Sequence, residues 1–299
     1  MDKIKVAIVG YGNIGRFALE AVDAASDMEC AGIVRRDPAA GEHPELSGRK
    51  VVSDISALGH VDVAILAVPS RKVQETALKY LAMGISTVDS FDIHTDICAL
   101  RSTLGEAASR SGAVSVISAG WDPGSDSVVR ALMQGLAPKG ISYTNFGPGR
   151  SMGHSVAAKA IAGVRDALSV TIPIGTGLHR RMVYVELEPG ADASAVEKAI
   201  LADPYFSHDE THVIPVDGID ALNDMGHGVN LVRKGVSGAT HNQLLEFNMK
   251  INNPALTGQV LVMAARAAVC QRPGCYTMIE IPVIDMLEGD REQLVRALV

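Results

Sequence analysis

Three glycines near the start of the chain, Gly10, Gly12 and Gly15, have the spacing Gly-x-Gly-x-x-Gly. They follow an apolar, strand-like run and open a helical pattern that begins at Asn13. In a dinucleotide-binding turn, such glycines permit a tight exit from the strand, backbone approach to a pyrophosphate, and close packing of the helix. The amides at the start of that helix then face the phosphates. A second apolar run, 30–34, completes the spacing of a βαβ unit, so the motif predicts dinucleotide binding rather than a purely structural turn.

The end of the second predicted strand indicates which dinucleotide is bound. NAD-binding chains usually have an acidic residue about 20 positions after the glycines, where it holds the ribose hydroxyls. This chain has Arg35 and Arg36 there. Two guanidinium groups suit a 2′-phosphate, to which arginine donates charge-assisted hydrogen bonds. The alternative is a solvated pair that forms a surface ion pair with Asp37. Beside the glycine motif, the two arginines favour NADP.

Two aspartates follow later predicted strands. Asp92 comes after the strand 86–89, and Asp122 comes after the strand 114–117. Ligands of an open parallel sheet bind beyond the carboxyl ends of its strands, and carboxylates are natural partners for an ammonium group there. A second interpretation is that Asp122 only caps the helix that begins near Pro123. The sequence favours neither interpretation.

The later part of the chain offers further candidates. The glycine-rich stretch 146–155 either cradles a carboxylate with its backbone amides or is an ordinary loop. Arg180 and Arg181 lie next to each other on a predicted strand and therefore point to opposite faces. A buried arginine needs an anion, such as a substrate carboxylate, although a solvated charge is the commoner case. Trp121 either packs over a ligand or fills a core, and the core is the commoner place for tryptophan.

These side chains need a scaffold of parallel strands. Strand-like and helical segments alternate up to about residue 120, and the apolar run 61–68 suits the centre of a parallel sheet covered on both faces. The pattern predicts an α/β fold with an N-terminal Rossmann-type doubly wound parallel sheet. Later strand-like segments predict a second, α+β domain. The predicted boundaries are 1–121 for the dinucleotide-binding domain and 122–253 for the second domain, with 254–299 packing back onto the first.

Composition limits the classes of function. With 299 residues and 47% hydrophobic content, the chain is long enough for two domains. A net charge of −7 without a basic run argues against nucleic acid as a partner. The spacing of the four cysteines, Cys30, Cys98, Cys270 and Cys275, predicts neither a disulfide framework nor a metal site. No leader or membrane span is predicted, so we expect a cytoplasmic location.

Together the motifs resemble the meso-diaminopimelate dehydrogenase family, over essentially the whole chain. The resemblance rests on Gly10 to Gly15 with Arg35-Arg36, Val88-Asp89-Ser90-Phe91-Asp92, Gly120-Trp121-Asp122-Pro123-Gly124, Phe146-Gly147-Pro148-Gly149, Met152-Gly153-His154-Ser155, His241-Asn242 and Asn252-Asn253-Pro254. It implies a homodimeric, NADP-dependent enzyme that reversibly deaminates the D-configured centre of meso-2,6-diaminopimelate. The products would be L-2-amino-6-oxopimelate and ammonia, in lysine and peptidoglycan precursor metabolism, with other D-amino acids as further candidate substrates.

The resemblance also implies roles for individual residues, with 122–253 as the substrate-binding and dimerisation domain. The D-centre end would contact Asp92, Asp122, Trp121, Met152 and Gly153. The distal L-centre would contact Phe146, Thr171, Arg181, His227 and Asn253, with its carboxylate on Arg181 and His227. NADP would contact Gly10, Tyr11, Gly12, Asn13, Ile14, Gly15, Arg35, Arg36, Val68, Pro69 and Ser70.

The candidate catalytic residues are Asp92, Asp122 and His154. Two routes for the ammonium proton are open: Asp122 takes it directly, or His154 acts through water. The sequence does not decide between them.

Two other interpretations fit the same features. A different NADP-dependent reductase or amino-acid dehydrogenase, similar to dihydrodipicolinate reductase or aspartate dehydrogenase, would share the two-domain plan. A non-catalytic NADP sensor would keep the glycine motif and Arg35-Arg36. It would not need a carboxylate pair in one domain together with Arg181 and His227 in the other.

Overall fold

The computed structural model describes residues 3–39, 43–222 and 226–299. The helices are α1 (Asn13–Ala24), α2 (Ser70–Leu81), α3 (Ile97–Ser111), α4 (Ser125–Leu136), α5 (Met152–Lys159), α6 (Ala193–Ala202), α7 (Asn253–Ala268) and α8 (Arg291–Leu298). The strands are β1 (Ile4–Val9), β2 (Met28–Val34), β3 (Val51–Val52), β4 (Val63–Leu66), β5 (Ser86–Asp89), β6 (Val114–Val116), β7 (Lys139–Phe146), β8 (Gly149–Ser151), β9 (Val164–Gly175), β10 (Leu178–Leu187), β11 (Glu210–Pro215), β12 (His227–Ser237), β13 (Thr240–Ile251) and β14 (Gly274–Tyr276).

The first unit contains a seven-stranded sheet in the order β14-β6-β5-β4-β1-β2-β3. Each neighbouring pair in it is parallel. The chain begins in the middle of the sheet, adds β2 and β3 on one side, and then adds β4, β5 and β6 on the other. The predicted Rossmann-type doubly wound sheet is therefore confirmed. The carboxyl ends of all seven strands lie at one edge, which is where such sheets bind ligands.

Side-chain alternation along β1 separates two hydrophobic cores. Val6 and Ile8 are fully buried in the core that includes α1 and α7. Ala7 and Val9 point to the opposite face and pack in the core that includes α2 and α3. Because both faces of the sheet are covered, its central strands are apolar throughout rather than alternating.

Residues from Pro254 onward belong to the first unit, which otherwise ends at Ala131. Helix α7 packs closely against α1, since a Cβ at Gly258 would lie 2.7 Å from the backbone of Phe17 and Ala18. The division between units thus falls after Ala131 rather than after residue 121. The reason is that the start of α4 packs in the first unit, with Val128 against its core.

The second unit, Leu132–Asn253, contains two sheets. One has the order β11-β10-β9-β8, in which only β10 and β11 are parallel. Helices α5 and α6 cover it, with Ala158, Val196 and Ile200 in a shared core. The other is an antiparallel sheet in the order β13-β12-β7. The predicted second α+β domain with a mixed or antiparallel sheet is confirmed.

Strand β12 was not predicted, because charged residues and a glycine interrupt its pattern. Arg233 lies in its middle but is only 5% exposed. Its guanidinium donates hydrogen bonds to the carbonyls of Ala137 (2.7 Å) and Pro138 (3.1 Å) and to Ser142 Oγ (2.8 Å). These carbonyls follow the end of α4, where a cation is favoured. The hydrogen bonds offset the desolvation cost of the buried charge.

Candidate active site

The structure explains the three motif glycines in different ways. Gly10 has φ +91°, and a Cβ there would collide with the Ala67 carbonyl. A Cβ at Gly15 would collide with the Gly10 carbonyl. A Cβ at Gly12 would meet nothing within 4 Å. Gly10 and Gly15 are thus explained by packing, whereas Gly12 leaves open space at the start of α1. That space fits the approach of a pyrophosphate to the helix amides.

Helix α1 begins without a carboxylate of its own. Gly12 is its N-cap, no side chain caps it, and its first turn has no acidic residue. An anion is therefore favoured at this end of the helix. Beside it, Tyr11 donates a hydrogen bond to Glu45 (3.3 Å), and burial together with Glu45 raises the pKa of Tyr11 to about 12. The tyrosine stays neutral beside the glycine turn.

Arg35 and Arg36 lie directly after β2. Arg35 is half-buried and Arg36 is exposed. Within residues 3–39, 43–222 and 226–299, neither guanidinium has a hydrogen-bond or ion-pair partner, and Asp37 pairs instead with the amide of Ala39 (3.0 Å). The predicted alternative, an ion pair with Asp37, is absent from this described part of the chain. Both cations remain available for an anionic ligand.

Asp92 lies in the turn after β5 and is exposed. Its Oδ1 accepts a hydrogen bond from Ser70 Oγ (2.6 Å), at the start of α2. Ser70 follows Val68 and Pro69 in the loop after β4. The contact therefore joins a predicted cofactor loop to a predicted substrate carboxylate, and both lie at the carboxyl edge of the sheet.

Asp122 follows β6, and its side chain is 14% exposed. Its carboxylate lies 3.5 Å from Arg130 Nη2, which lies 2.6 Å from Asp126 Oδ2. The amide of Gly124 donates a hydrogen bond to Ser127 Oγ (3.2 Å). In the described residues, Asp122 accepts no amide of α4, so the geometry gives no support to the capping interpretation. Trp121 is buried, with 6% of its surface exposed.

In the second unit, Arg181 and Arg180 occupy different environments. The Arg181 side chain is 12% exposed, lies 2.7 Å from Asp209 and also donates to Thr171 Oγ1. The Arg180 side chain is 42% exposed and pairs with Glu210 (2.8 Å). Strand alternation separates the two side chains as predicted, and Arg181 is the buried one. A buried guanidinium with one carboxylate partner can bind a further anion.

Three histidines, His154, His179 and His227, lie close enough to Arg181 for its charge to affect their pKa values. Burial is the largest cause that lowers the pKa of each, and the charge of Arg181 lowers it further. The pKa is about 4 for His154 and about 4 for His227. At pH 7 these two imidazoles are neutral. His154 is additionally held by Ser151 Oγ (2.8 Å) and by edge contacts with Tyr205 and Phe206.

The glycine-rich stretch after β7 packs against other backbone segments. A Cβ at Gly147 would collide with the Thr171 carbonyl, and one at Gly149 would collide with the Gly226 carbonyl. The amides of Gly147 and Arg150 already donate to Gly228 (2.7 Å) and Gly226 (3.1 Å). These amides are therefore not free to cradle a carboxylate. The glycines are explained by close packing.

The remaining predicted residues lie at different points of the second unit. Phe146 ends β7, and its amide donates to Nε2 of His179 (2.8 Å), which fixes the tautomer of that imidazole. Met152 and Gly153 open α5, and a Cβ at Gly153 would lie 3.7 Å from Tyr205. Asn253 opens α7 and is half-buried.

Four residues near the predicted site residues of the two units were given no role by the sequence analysis: Asp89 and Asp126 in the first unit, and His179 and Asp209 in the second. Asp126 carried a signal only towards Arg130, because the two residues are four apart on α4 and so lie on one side of the helix. Asp209 carried none, since its contact with Arg181 depends on the pairing of β10 with β11. Within the described parts of the chain, no cluster of His, Cys, Asp or Glu could hold a metal, and no helix is long and apolar enough to cross a membrane.

Family models match both units. Residues 4–89 match the oxidoreductase family with an NAD-binding Rossmann fold, and residues 120–180 match the diaminopimelic acid dehydrogenase C-terminal domain. The chain is 64% identical to the meso-diaminopimelate D-dehydrogenase of Bacteroides fragilis over 299 residues, which is 100% of both chains. It is 38% identical to that of Lysinibacillus sphaericus, covering 94% of this chain and 95% of the relative.

Solved structures of dehydrogenases are also similar to this chain over its full length. Diaminopimelate dehydrogenase of Corynebacterium glutamicum in complex with diaminopimelate superposes with a TM-score of 0.90 at 29% identity, covering 100% of both chains. An engineered D-amino acid dehydrogenase bound to NADP+ superposes with a TM-score of 0.86 at 28% identity, covering 99% of this chain and 100% of that one.

The Rossmann sheet, its glycine turn and the diaminopimelic acid dehydrogenase domain define a two-domain oxidoreductase of the NAD(P)-binding class. Within that class, the identities over the full length are decisive. The chain belongs to the meso-diaminopimelate D-dehydrogenase family. The resemblance drawn from the motifs is thereby confirmed.

Proposed function

We propose that this protein catalyses the reversible, NADP-dependent oxidative deamination of the D-centre of meso-2,6-diaminopimelate to L-2-amino-6-oxopimelate and ammonia. The observation that carries the proposal is the 64% identity, over the full length of both chains, to the enzyme of Bacteroides fragilis. Family membership favours this reaction over the reductase, aspartate dehydrogenase and NADP-sensor alternatives. The reaction would serve lysine and peptidoglycan precursor synthesis, in the cytoplasm. A reducing compartment suits the four free cysteines.

The charged side chains near the predicted binding positions support this substrate. Diaminopimelate has an ammonium and a carboxylate group at each end. We assign the D-centre ammonium to Asp92 and Asp122 in the first unit, because carboxylates stabilise a cation in a partly dry site. We assign the L-centre carboxylate to Arg181 and His227 in the second unit, where a buried guanidinium favours an anion.

The other residues complete these two binding roles. We assign Trp121, Met152 and Gly153 to the D-centre end, and Phe146, Thr171 and Asn253 to the L-centre end. In this proposal the first unit is the dinucleotide-binding domain, and the second is the substrate-binding and dimerisation domain. Thr171 is 1% exposed and holds Arg181, so it acts on the carboxylate through that guanidinium.

We assign to Asp122 the role of accepting the proton of the reacting ammonium group. NADP, when bound, accepts the hydride; the protein must orient the substrate and accept the proton. His154 has a pKa of about 4 because it is buried near Arg181, so it is a neutral imidazole at pH 7. In that form it can donate or accept one hydrogen bond to a water molecule without changing charge.

Turnover tests the proposed reaction directly. We expect NADPH formation with meso-diaminopimelate and NADP, and little with the LL isomer, because LL-diaminopimelate has no D-centre. The DD isomer and simple D-amino acids, assayed in parallel, measure how much the distal head group contributes. Absence of turnover with every diaminopimelate isomer, in protein that binds NADP, would contradict the proposed function.

The cofactor assignment rests on Arg35, Arg36 and the open space at Gly12. Replacing both arginines (Arg35→Ala with Arg36→Ala) should weaken NADP binding by at least about 100-fold, since two charge-assisted hydrogen bonds of ~1.5–3 kcal/mol each together contribute ~3–6 kcal/mol. NAD binding should change little, because NAD lacks the 2′-phosphate. Titration calorimetry with both dinucleotides measures this, and Arg110→Ala, on the exposed end of α3, is the control. Equal weakening of NAD and NADP would refute the assignment.

Two neighbouring arginines test the carboxylate site. We expect Arg181→Gln to raise the KM for meso-diaminopimelate by about 10- to 100-fold, because it removes a charge-assisted hydrogen bond to the distal carboxylate. Arg180→Gln, on the same strand but 42% exposed, should leave the KM near its wild-type value. Steady-state kinetics at saturating NADP measures both. An unchanged KM in the Arg181 variant would remove that residue from the site.

We further propose that the protein is a homodimer that pairs through the open face of the β13-β12-β7 sheet. Ile141, Lys234 and Leu244 lie opposite one another across these strands and so share one face. Ile141 is 60% exposed and Leu244 is 59% exposed, and such apolar surface is characteristic of interfaces.

Sedimentation velocity tests the dimer. The wild type should sediment as a dimer, and Ile141→Lys should shift it towards monomer, because a lysine on each copy adds repulsion and desolvation cost at the pairing face. Met83→Lys, at an exposed apolar position of the first unit, should leave the dimer intact. A wild-type monomer at micromolar concentration would exclude the proposal.

A further inference from the structure

Asp209 contacts the guanidinium of Arg181, to which we assign the distal carboxylate of the substrate. Asp209 Oδ2 lies 2.7 Å from Arg181 Nε, and Thr171 Oγ1 accepts a hydrogen bond from Nη1 of the same guanidinium. All three residues belong to the second unit, Leu132–Asn253. None of the proposed substrate contacts involves Asp209.

This pairing leaves one nitrogen of the guanidinium unused. An arginine side chain has five N–H donors on three nitrogens. Within the described parts of the chain, Nε and Nη1 of Arg181 have acceptors, whereas Nη2 has none. The Arg181 side chain is nevertheless only 12% exposed, so its donors are largely removed from bulk water. The unmet hydrogen bonds of Nη2 favour an acceptor supplied by a ligand.

Other arginines of the chain are paired more completely. Arg266, which is buried on α7, uses all three guanidinium nitrogens for hydrogen bonds within the protein. Arg180, the neighbour of Arg181, contacts Glu210 through both Nε (2.8 Å) and Nη2 (3.1 Å). Two-point contact of this kind is frequent between arginine and a carboxylate. Asp209 instead contacts Arg181 at Nε alone, and Arg181 therefore keeps donors for a second anion.

The turn before β11 holds Asp209 in place. Phe206, three residues earlier, is 1% exposed and lies in a hydrophobic core of this unit. The hydroxyl of Thr211 lies within hydrogen-bonding distance of the carbonyl oxygens of Phe206 (3.1 Å) and Asp209 (3.2 Å). Thr211 is also the partner of Arg181 in the pairing of β10 with β11. The position of Asp209 is thus fixed relative to the strand that carries Arg181.

The ordinary interpretation of this ion pair is neutralisation of a buried charge. Under that interpretation, Asp209 competes with the substrate carboxylate for Arg181, and removing the charge of Asp209 would strengthen substrate binding. A positioning role predicts the opposite. Because Nε and Nη1 are both held, Nη2 has a fixed place before the substrate arrives. Substrate binding then does not have to order a long, flexible side chain.

We propose that Asp209 is a positioning residue, which orients Arg181 so that Nη2 is presented to the carboxylate of the L-centre. This inference rests on the proposed function, because it takes that carboxylate to be the ligand of Arg181. Asp209 then affects substrate binding rather than the chemical step, and so affects KM rather than kcat. The role requires an acceptor at Oδ2 and not a negative charge. Among the described residues Oδ1 has no hydrogen-bond partner, so the amide of an asparagine can replace the carboxylate.

Steady-state kinetics of three variants test the proposal. Asp209→Ala should raise the KM for meso-diaminopimelate about tenfold, which corresponds to ~1.4 kcal/mol, with little change in kcat. Asp209→Asn should restore the wild-type KM, because the amide oxygen accepts the same hydrogen bond. Glu210→Ala removes the exposed partner of Arg180 and is the matched control, which should also keep the wild-type KM. A lower KM in both Asp209 variants, or the same increase in both, would overturn the proposal.

A double variant tests whether Asp209 acts through Arg181. If it does, Asp209→Ala should add little to the KM of Arg181→Gln, since the guanidinium to be oriented is already absent. Effects of the two substitutions that multiply would contradict this. D-Lysine, which is meso-diaminopimelate without the L-centre carboxylate, is the matched substrate, and Asp209→Ala should leave its kcat/KM near the wild-type value. An equal loss with both substrates would show a general structural defect instead of positioning.

A measurement without substrate separates this inference from the proposed function. The ¹⁵Nε–Hε group of Arg181, assigned by its loss in Arg181→Gln, should exchange slowly with solvent in the wild type and in Asp209→Asn. It should exchange rapidly in Asp209→Ala. Equal exchange in all three proteins would overturn the proposal. Failure of the wild type to oxidise any diaminopimelate isomer would refute the proposed function, and the exchange measurement would still report whether Asp209 holds Arg181.

Discussion

The buried carboxyl group of Asp89 joins the turn that contains Asp92 to the turn that leads to Asp122. It is fully buried at the end of β5, and its Oδ1 accepts the amides of Phe91 (2.9 Å) and Ser118 (3.1 Å), one from each turn. Because β5 and β6 are parallel neighbours, both turns leave the same edge of the sheet. The bridge thus ties the turn that contains Asp92 to the start of the turn that leads to Asp122. Burial raises the pKa of Asp89 to about 7, so the bridge is retained without a full buried charge at neutral pH.

The first unit buries a carboxyl group, whereas the second unit buries a cation. Arg181 cannot lose its charge, so Asp209 pairs with it and Thr171 accepts a further hydrogen bond. Protonated histidines nearby would repel the guanidinium. Burial and this charge keep His154 and His227 neutral at pH 7 instead. A carboxylate that enters this unit therefore meets one cation and neutral imidazoles, which can donate hydrogen bonds without adding charge.

The fold of the first unit could be predicted from the sequence because its signals are local. The glycine motif, the apolar strands and the βαβ spacing each occupy a short stretch of chain, and the sheet follows from them. The buried charges could not be predicted in the same way. Arg180 and Arg181 look alike in sequence, and only the pairing of β10 with β9 and β11 decides which one is covered. Strand β12 was missed for a related reason, since the partners that permit a buried Arg233 lie at the end of α4 and on β7.

The candidate site shows the same limit. Asp92 and Asp122 could be found because they follow strands, whereas the burial of Asp126, on the helix that follows Asp122, depends on tertiary packing. Asp126 alone would be assigned to the helix dipole, as an aspartate in a first turn usually is. Its burial and its ion pair with Arg130, which also lies 3.5 Å from Asp122, show that Asp126 has tertiary partners as well.

The opposite charges of the proposed contacts, carboxylates in the first unit and Arg181 in the second, also bear on how a substrate with two similar ends is oriented. Both ends of diaminopimelate have an ammonium and a carboxylate, so a site of one sign would hold either end in the same way. In the proposed arrangement, Asp92 and Asp122 bind the ammonium of one end, and Arg181 binds the carboxylate of the other. Different substituents are then fixed at the two centres. Since the centres of the meso isomer have opposite configuration, exchanging the ends would move the reacting hydrogen out of position, and the D-centre is selected by geometry rather than by affinity for a head group.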